Sequence, residues 1–128
     1  MADNAAKVDT SRVYKIVPAR LWSNAQASNA FTGSADDQRD GFIHLSAAAQ
    51  ITGTLCKYFR NQADLLLVAF DSASLSPHLK WETSRGGELF PHYYGSLPPQ
   101  LALWQRPLPL GADGLPQCDV TQLIEDRL

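Results

Sequence analysis

Six consecutive apolar residues, Leu65 to Phe70, constrain the fold more tightly than any other feature of the chain. The run has strand length, closes at Asp71-Ser72 and leaves no side chain for solvent, so it predicts a central strand buried on both faces. It is far shorter than the ~20 residues of a membrane span, and no apolar stretch elsewhere is longer. Covering both of its faces requires a core. A chain of 128 residues with 45% hydrophobic side chains has the material for one domain, burying roughly 65% of its unfolded surface. Eleven Lys and Arg against thirteen Asp and Glu give a formal charge of -2. That balance excludes a generally basic surface, and with it DNA binding through the phosphate backbone. Cys56 and Cys118 form no Cys-x-x-Cys pair, which points to neither a disulfide framework nor a thiolate metal cluster. No charged-then-apolar leader is legible, so a reducing, cytoplasmic setting without membrane attachment is expected.

Around the central run the pattern alternates between strands and helices. Met1 to Ser11 is small and polar and is expected to be flexible; a single α+β domain is expected over 12–108, and a tail with a short helix over 109–128. Val13, Tyr14, Ile16 and Val17 predict a strand, and Pro18 the first turn of a helix with Leu21, Trp22 and Ala25 on its apolar side, stopped by Ser28-Asn29. Phe31 to Gly41 is polar without a period and predicts a surface loop. From Gly41 the alternation Phe-Ile-His-Leu-Ser sets Phe42, His44 and Ser46 on one strand face and Ile43 and Leu45 on the other. Ser46 is then expected to cap a helix carrying Ala48, Ile51, Leu55 and Phe59, with Cys56 on its apolar side as a buried, inert thiol. Leu79 to Glu82 alternates, Arg85-Gly86-Gly87 is a turn, and Pro91 predicts an edge, a bulge or a broken strand in Glu88 to Gly95. Pro98-Pro99 turns the chain into a last strand at Leu101 to Trp104. The tail beyond Pro107, weakly helical from Val120, is given little structural weight.

The candidate chemistry is carried by histidines, aromatics and two glutamates. His44 and His92 each interrupt an apolar strand pattern with an ionisable ring, and are expected to face a common cleft with Trp81, Phe90 and Tyr94. Glu82 and Glu88 flank the Arg85 turn, where either is a candidate pocket acid. No His-x-x-x-His, nucleophile elbow or phosphate-cradling glycine loop is present, so no metal is expected and no motif indicates a hydrolase or kinase.

The segments Tyr14-Lys15-Ile16, Gly41-Phe-Ile-His-Leu-Ser46, Leu79-Lys-Trp-Glu82 and Glu88-Leu-Phe-Pro-His-Tyr-Tyr-Gly95 resemble, in order and spacing, the small bacterial and plant family called domain of unknown function 952. That resemblance implies a fold similar to the ADP-ribosyltransferase group, with mixed sheets and two main helices. It also implies a nucleotide ligand, with NAD as a candidate substrate for ADP-ribosyl or phosphoryl-type transfer. Under it, His44, Glu82 and Glu88 are the candidate catalytic residues, and Tyr14, Lys15, Ser46, Trp81, Phe90, His92 and Tyr94 the ligand contacts. Lys15 stands where the family often has histidine, which keeps a positive charge suited to a phosphate but removes an imidazole. The alternatives are a non-catalytic module that binds a nucleotide or RNA end, and an interaction domain whose aromatic cleft receives a peptide.

Overall fold

The computed structural model describes residues 10–125. Of the N-terminal stretch expected to be flexible, Met1 to Asp9 lie outside the described residues, while the Ser11 carbonyl accepts the Ser72 N–H at 3.0 Å. Strand β1 (Arg12–Pro18) runs straight into helix α1 (Ala19–Ser28). Pro18 keeps extended torsions and serves as the helix cap, one position earlier than its expected place in the first turn. Helix α1 buries Trp22 and Ala25 and ends where predicted, at Asn29 in the left-handed conformation.

The polar stretch from Phe31 to Gly41 is not the surface loop its composition predicts. It contains helix α2 (Ala35–Asp40), and both Phe31 and Asp37 are buried. The cause is local. Ser34 Oγ accepts the Asp37 N–H at 3.3 Å while the Asp37 carboxylate accepts the Ser34 N–H at 2.9 Å, a reciprocal cap that starts a helix in otherwise polar sequence. Gly33 (φ 111°) precedes it, and a Cβ there would lie 2.7 Å from the Asp37 Cβ, so this close approach requires glycine.

Strand β2 (Ile43–His44) is short, and a 3-10 turn (Ala48–Gln50) leads into α3 (Ile51–Tyr58). Ser46 does not cap it. Ala47 occupies that place, and Gln50 Oε1 accepts the Ala47 N–H at 3.0 Å. The Ser46 backbone is committed elsewhere, exchanging hydrogen bonds of 2.8 and 2.9 Å with Tyr14. On α3 the buried residues are Ile51 and Leu55; Cys56, a further ~100° around the helix, is exposed rather than buried.

Strand β3 (Leu65–Asp71) is central, as the apolar run predicts: β1 and β6 (Trp104–Leu108) flank it, both antiparallel. The last strand begins three residues later than Leu101, because Pro99–Leu101 forms a 3-10 turn. The second sheet has the order β2-β5-β4, with β4 at Leu79–Thr83 and β5 at Leu89–Tyr93, again antiparallel. Pro91 therefore lies in a middle strand, not at an edge. Its carbonyl accepts the Leu45 N–H at 3.0 Å, and its ring nitrogen faces the same side, where β2 has already ended, so little ladder is forfeited. The chain from Ile43 to Ser46 passes from the second sheet to the first, and the Tyr14–Ser46 bridge joins them.

The fold is thus a single α+β domain of two antiparallel sheets with a few helices. Val13, Val17, Val68 and Phe70 build one core with Trp22, Ile43 and Leu97; Tyr14, Ile16, Leu65, Leu67 and Ala69 build the other with Ile51 and Leu55. Helix α4 (Ser72–Leu75) adds Leu75 to the first. Helix α5 (Val120–Glu125) adds Leu123, 2% exposed, to the second, so the tail carries more structure than its composition suggests; residues 126–128 lie outside the described residues. No helix among the described residues is long and apolar enough to cross a membrane. In urea melts, Leu67→Ala is expected to cost about 2–5 kcal/mol through lost burial and an unfilled cavity. Leu123→Ala should also cost well over ~0.5 kcal/mol, the ordinary range of surface substitutions; a smaller loss would mean that the tail is not part of the core.

Candidate functional site

Strand β1 alternates so that Val13, Lys15 and Val17 share the face turned toward the second sheet. A lysine between two buried valines must find a partner, and it finds Asp37. Lys15 Nζ donates to Asp37 Oδ2 at 2.9 Å and Oδ1 at 3.2 Å, and to the His44 carbonyl at 3.1 Å. The side chains are 6% and 0% exposed. Burial pushes the Lys15 ammonium below its ordinary range, and the attraction and hydrogen bond of Asp37 oppose that shift. Burial also raises the Asp37 carboxyl, but His44, Lys15 and the Ser34 and His44 amides outweigh it and hold it well below the usual carboxylate range.

Asp37 in turn orients His44. It accepts the His44 N–H at 3.0 Å and lies 2.6 Å from Nδ1, while Nε2 lies 2.9 Å from Asp40 Oδ2. The imidazole is 38% exposed, at the wall of a cleft of about 230 Å³. A carboxylate only accepts, so one buried acceptor fixes the ring and leaves Nε2 on the accessible side. Arg39 at the end of α2 donates to Asp36 and Asp40, and chiefly this contact keeps Asp40 below its ordinary value.

Sheet pairing sets His92 directly opposite His44, their ring centroids 5.8 Å apart, and both line the cleft. Phe42 stacks on His92 at 3.9 Å. On the far side of β5, Glu82 Oε1 lies 2.7 Å from His92 Nδ1 and accepts the Tyr94 hydroxyl at 2.8 Å. The bonds from His92 and then Tyr94 lower the Glu82 carboxyl, and the bond to Glu82 raises the Tyr94 phenol.

Of the residues singled out from sequence, Lys15, His44, Ser46, Phe90 and His92 meet at the cleft. Glu82 and Tyr94 act behind His92. Glu88 accepts from Gln50 Nε2 at 3.3 Å and does not line the cleft, Trp81 packs against the first core, and Tyr14 is buried in the second beside Trp104. The carboxylates at the cleft are Asp36, Asp37 and Asp40, all from α2 and all missed by the reading of that segment as loop. Two signals were present: Ser34-x-x-Asp37 has capping-box spacing, and Lys15 at a buried strand position demands an acid. Among the described residues, no group of three or more His, Cys, Asp or Glu is arranged to hold a metal ion.

A family model described as protein of unknown function DUF952 matches residues 16–104. The chain belongs to that family. Its matched segment holds Asp37, His44, Glu82 and His92 and begins one residue after Lys15. Among solved structures, the crystal structure of protein CC0527 from Caulobacter crescentus is 47% identical, with a TM-score of 0.81 over 84% of this chain and 94% of that one. A crystal structure of its double mutant is 46% identical with the same TM-score and coverage. The solution structure of CC0527 is 44% identical, with a TM-score of 0.75 over 91% of this chain and 96% of that one. No curated protein matches the chain.

Replacing Asp37 by asparagine leaves Lys15 buried beside a neutral group, and is expected to cost about 3–5 kcal/mol at neutral pH. Because the folded carboxyl titrates below the unfolded one, its contribution is complete above the unfolded value of about 4. It is lost as pH falls from there toward the folded value. Urea melts from neutral pH to about pH 2 should show this acid loss in the wild type and a flatter limb in Asp37→Asn; parallel limbs would contradict the assignment.

Proposed function

We propose that this chain binds a nucleotide by its ribose and phosphate in the cleft between α2 and the Arg85 turn, and that His44 exchanges a proton with a ligand hydroxyl. One observation carries the reading: an imidazole held through Nδ1 by a fully buried carboxylate, with Nε2 turned to a cleft. A ring held in this way presents one defined nitrogen for proton transfer. Asp40, exposed and shared with Arg39, is the partner that a ligand hydroxyl displaces from Nε2. At about 230 Å³ the cleft is smaller than the ~300–1,000 Å³ of sites for drug-sized ligands, which suits a ribose phosphate better than a whole dinucleotide.

In the transferase form of this reading, suggested by the resemblance to ADP-ribosyltransferases, NAD is the donor. Its bond from ribose C1′ to nicotinamide breaks with the electron pair leaving on nicotinamide, an acceptor hydroxyl oxygen bonds to C1′, and the hydroxyl proton passes to His44 Nε2, which must first release to solvent the proton it donates to Asp40. Lys15 positions this machinery instead of meeting a phosphate, since its donors are spent on Asp37 and the His44 carbonyl. Binding of a nucleotide or RNA end without turnover is the second reading. The Asp40 carboxylate seated on Nε2 favours it, because a base must first lose that partner.

Calorimetric titration with NAD, ADP and adenosine is expected to give heat with all three. His44→Ala should weaken each by about two- to tenfold, the worth of one hydrogen bond. No heat from any of them would rule out the nucleotide reading. Binding of NAD without nicotinamide release would leave the non-catalytic form.

A further inference from the structure

The cleft's second wall carries a cation that the His44 chemistry does not use. Arg85, in the turn between β4 and β5, lays its guanidinium over the Phe90 ring at 4.8 Å and the Tyr58 ring at 5.6 Å. It donates to Thr54 Oγ1 at 3.3 Å, and Thr54 lies 3.3 Å from Ser46 Oγ. A Cβ on Gly53 of α3 would come to 3.4 Å from Arg85 Nη2, so the guanidinium lies over the bare face of that helix.

The other cations at the cleft have acidic partners. Lys15 is paired with Asp37, and Arg39 with Asp36 and Asp40. Arg85 forms no ion pair among the described residues, although it is half-buried and held in place by two aromatic rings and a hydroxyl. A fixed guanidinium fork of this kind binds oxyanions through two parallel N–H bonds. The Thr54 hydroxyl gives its proton to the Gln50 carbonyl at 3.0 Å and Ser46 Oγ is paired with Thr54, but Ser84 also lines the cleft and offers a hydroxyl donor to a third oxygen, which a phosphate has and a carboxylate lacks.

From this arrangement we infer that Arg85, with the Ser84 hydroxyl, is the phosphate subsite of the cleft, setting the polarity of a ligand whose hydroxyl lies at His44. The inference deepens the nucleotide reading and rests on it for the rest of the ligand. A phosphate at Arg85 and a hydroxyl at His44 define the substrate class as a small phosphate ester with a free hydroxyl, bound phosphate-first against the α3 side.

Amide chemical-shift titration of the full chain with inorganic phosphate, and with acetate at matched ionic strength, tests the subsite directly. Phosphate is expected to shift the Gly53, Thr54 and Ser84 to Gly87 signals saturably and acetate much less. Arg85→Ala should abolish the response, and Arg85→Lys, which keeps the charge but not the fork, should weaken it about tenfold or more. AMP should bind about 10–100 times more tightly than adenosine, an advantage that disappears in Arg85→Ala. Unchanged signals elsewhere would verify that the variants are folded. No response to phosphate, a response that survives Arg85→Ala, or an equal response to acetate would overturn the subsite. Adenosine binding reports on the nucleotide reading separately: adenosine binding with no phosphate response removes the subsite alone, whereas a phosphate response lost in Arg85→Ala with no adenosine binding supports the subsite and removes the nucleotide.

Discussion

The site depends on one ion pair taken out of water, Lys15 with Asp37, whose side chains are almost wholly enclosed. Burying two charges costs several kcal/mol for each ion, and attraction alone does not reliably offset that. Here the acid collects hydrogen bonds from Lys15 Nζ, the Ser34 amide, the His44 amide and His44 Nδ1, so its acceptor sites are filled. The pair therefore ties together three pieces of chain: a strand of the first sheet, the short helix α2, and the strand that carries His44. Removing either charge would strand the other in the core, so the geometry at His44 and the integrity of the fold are coupled.

The divided sheet gives the cleft its place. The chain leaves the second sheet at His44, joins the first at Ser46, and packs Ile43 and Leu45 into the core on the way. Side chains on the opposite face, Phe42, His44 and Ser46, are left where the two sheets part. His92 reaches the same place from β5, backed by Glu82 and Tyr94. The two histidines are thus held differently: His44 by an acid in the core, His92 by an acid near the surface. Only the first anchor is protected from solvent screening, which makes Asp37 the more consequential of the two.

Much of this was legible in the order of residues. A six-residue apolar run has no stable arrangement except between two covered faces, so β3 is central. Period-two alternation from Phe42 to Ser46 separates a core face from a chemical one whatever lies opposite. Pro91 shows where such reasoning is incomplete: its missing N–H restricts one side of a strand, and a partner that stops early removes the penalty even in the middle of a sheet. Ser46 shows the same. Its side chain is suited to cap a helix, but its backbone was claimed by Tyr14, thirty-two positions earlier.

Local pattern by itself determined the central strand, the two-faced strand at His44, the stop at Asn29 and the family, because sterics and burial act there over a few residues. Only the tertiary structure decided which acids serve the cleft and which cation there has no ion pair among the described residues. Asp37 reads as one more polar residue in a polar stretch until Lys15 is placed against it, and Arg85 reads as part of a glycine turn until Phe90, Tyr58 and Thr54 form its seat. Charge and burial are properties of surroundings, and the surroundings of these residues are assembled from segments far apart in the chain.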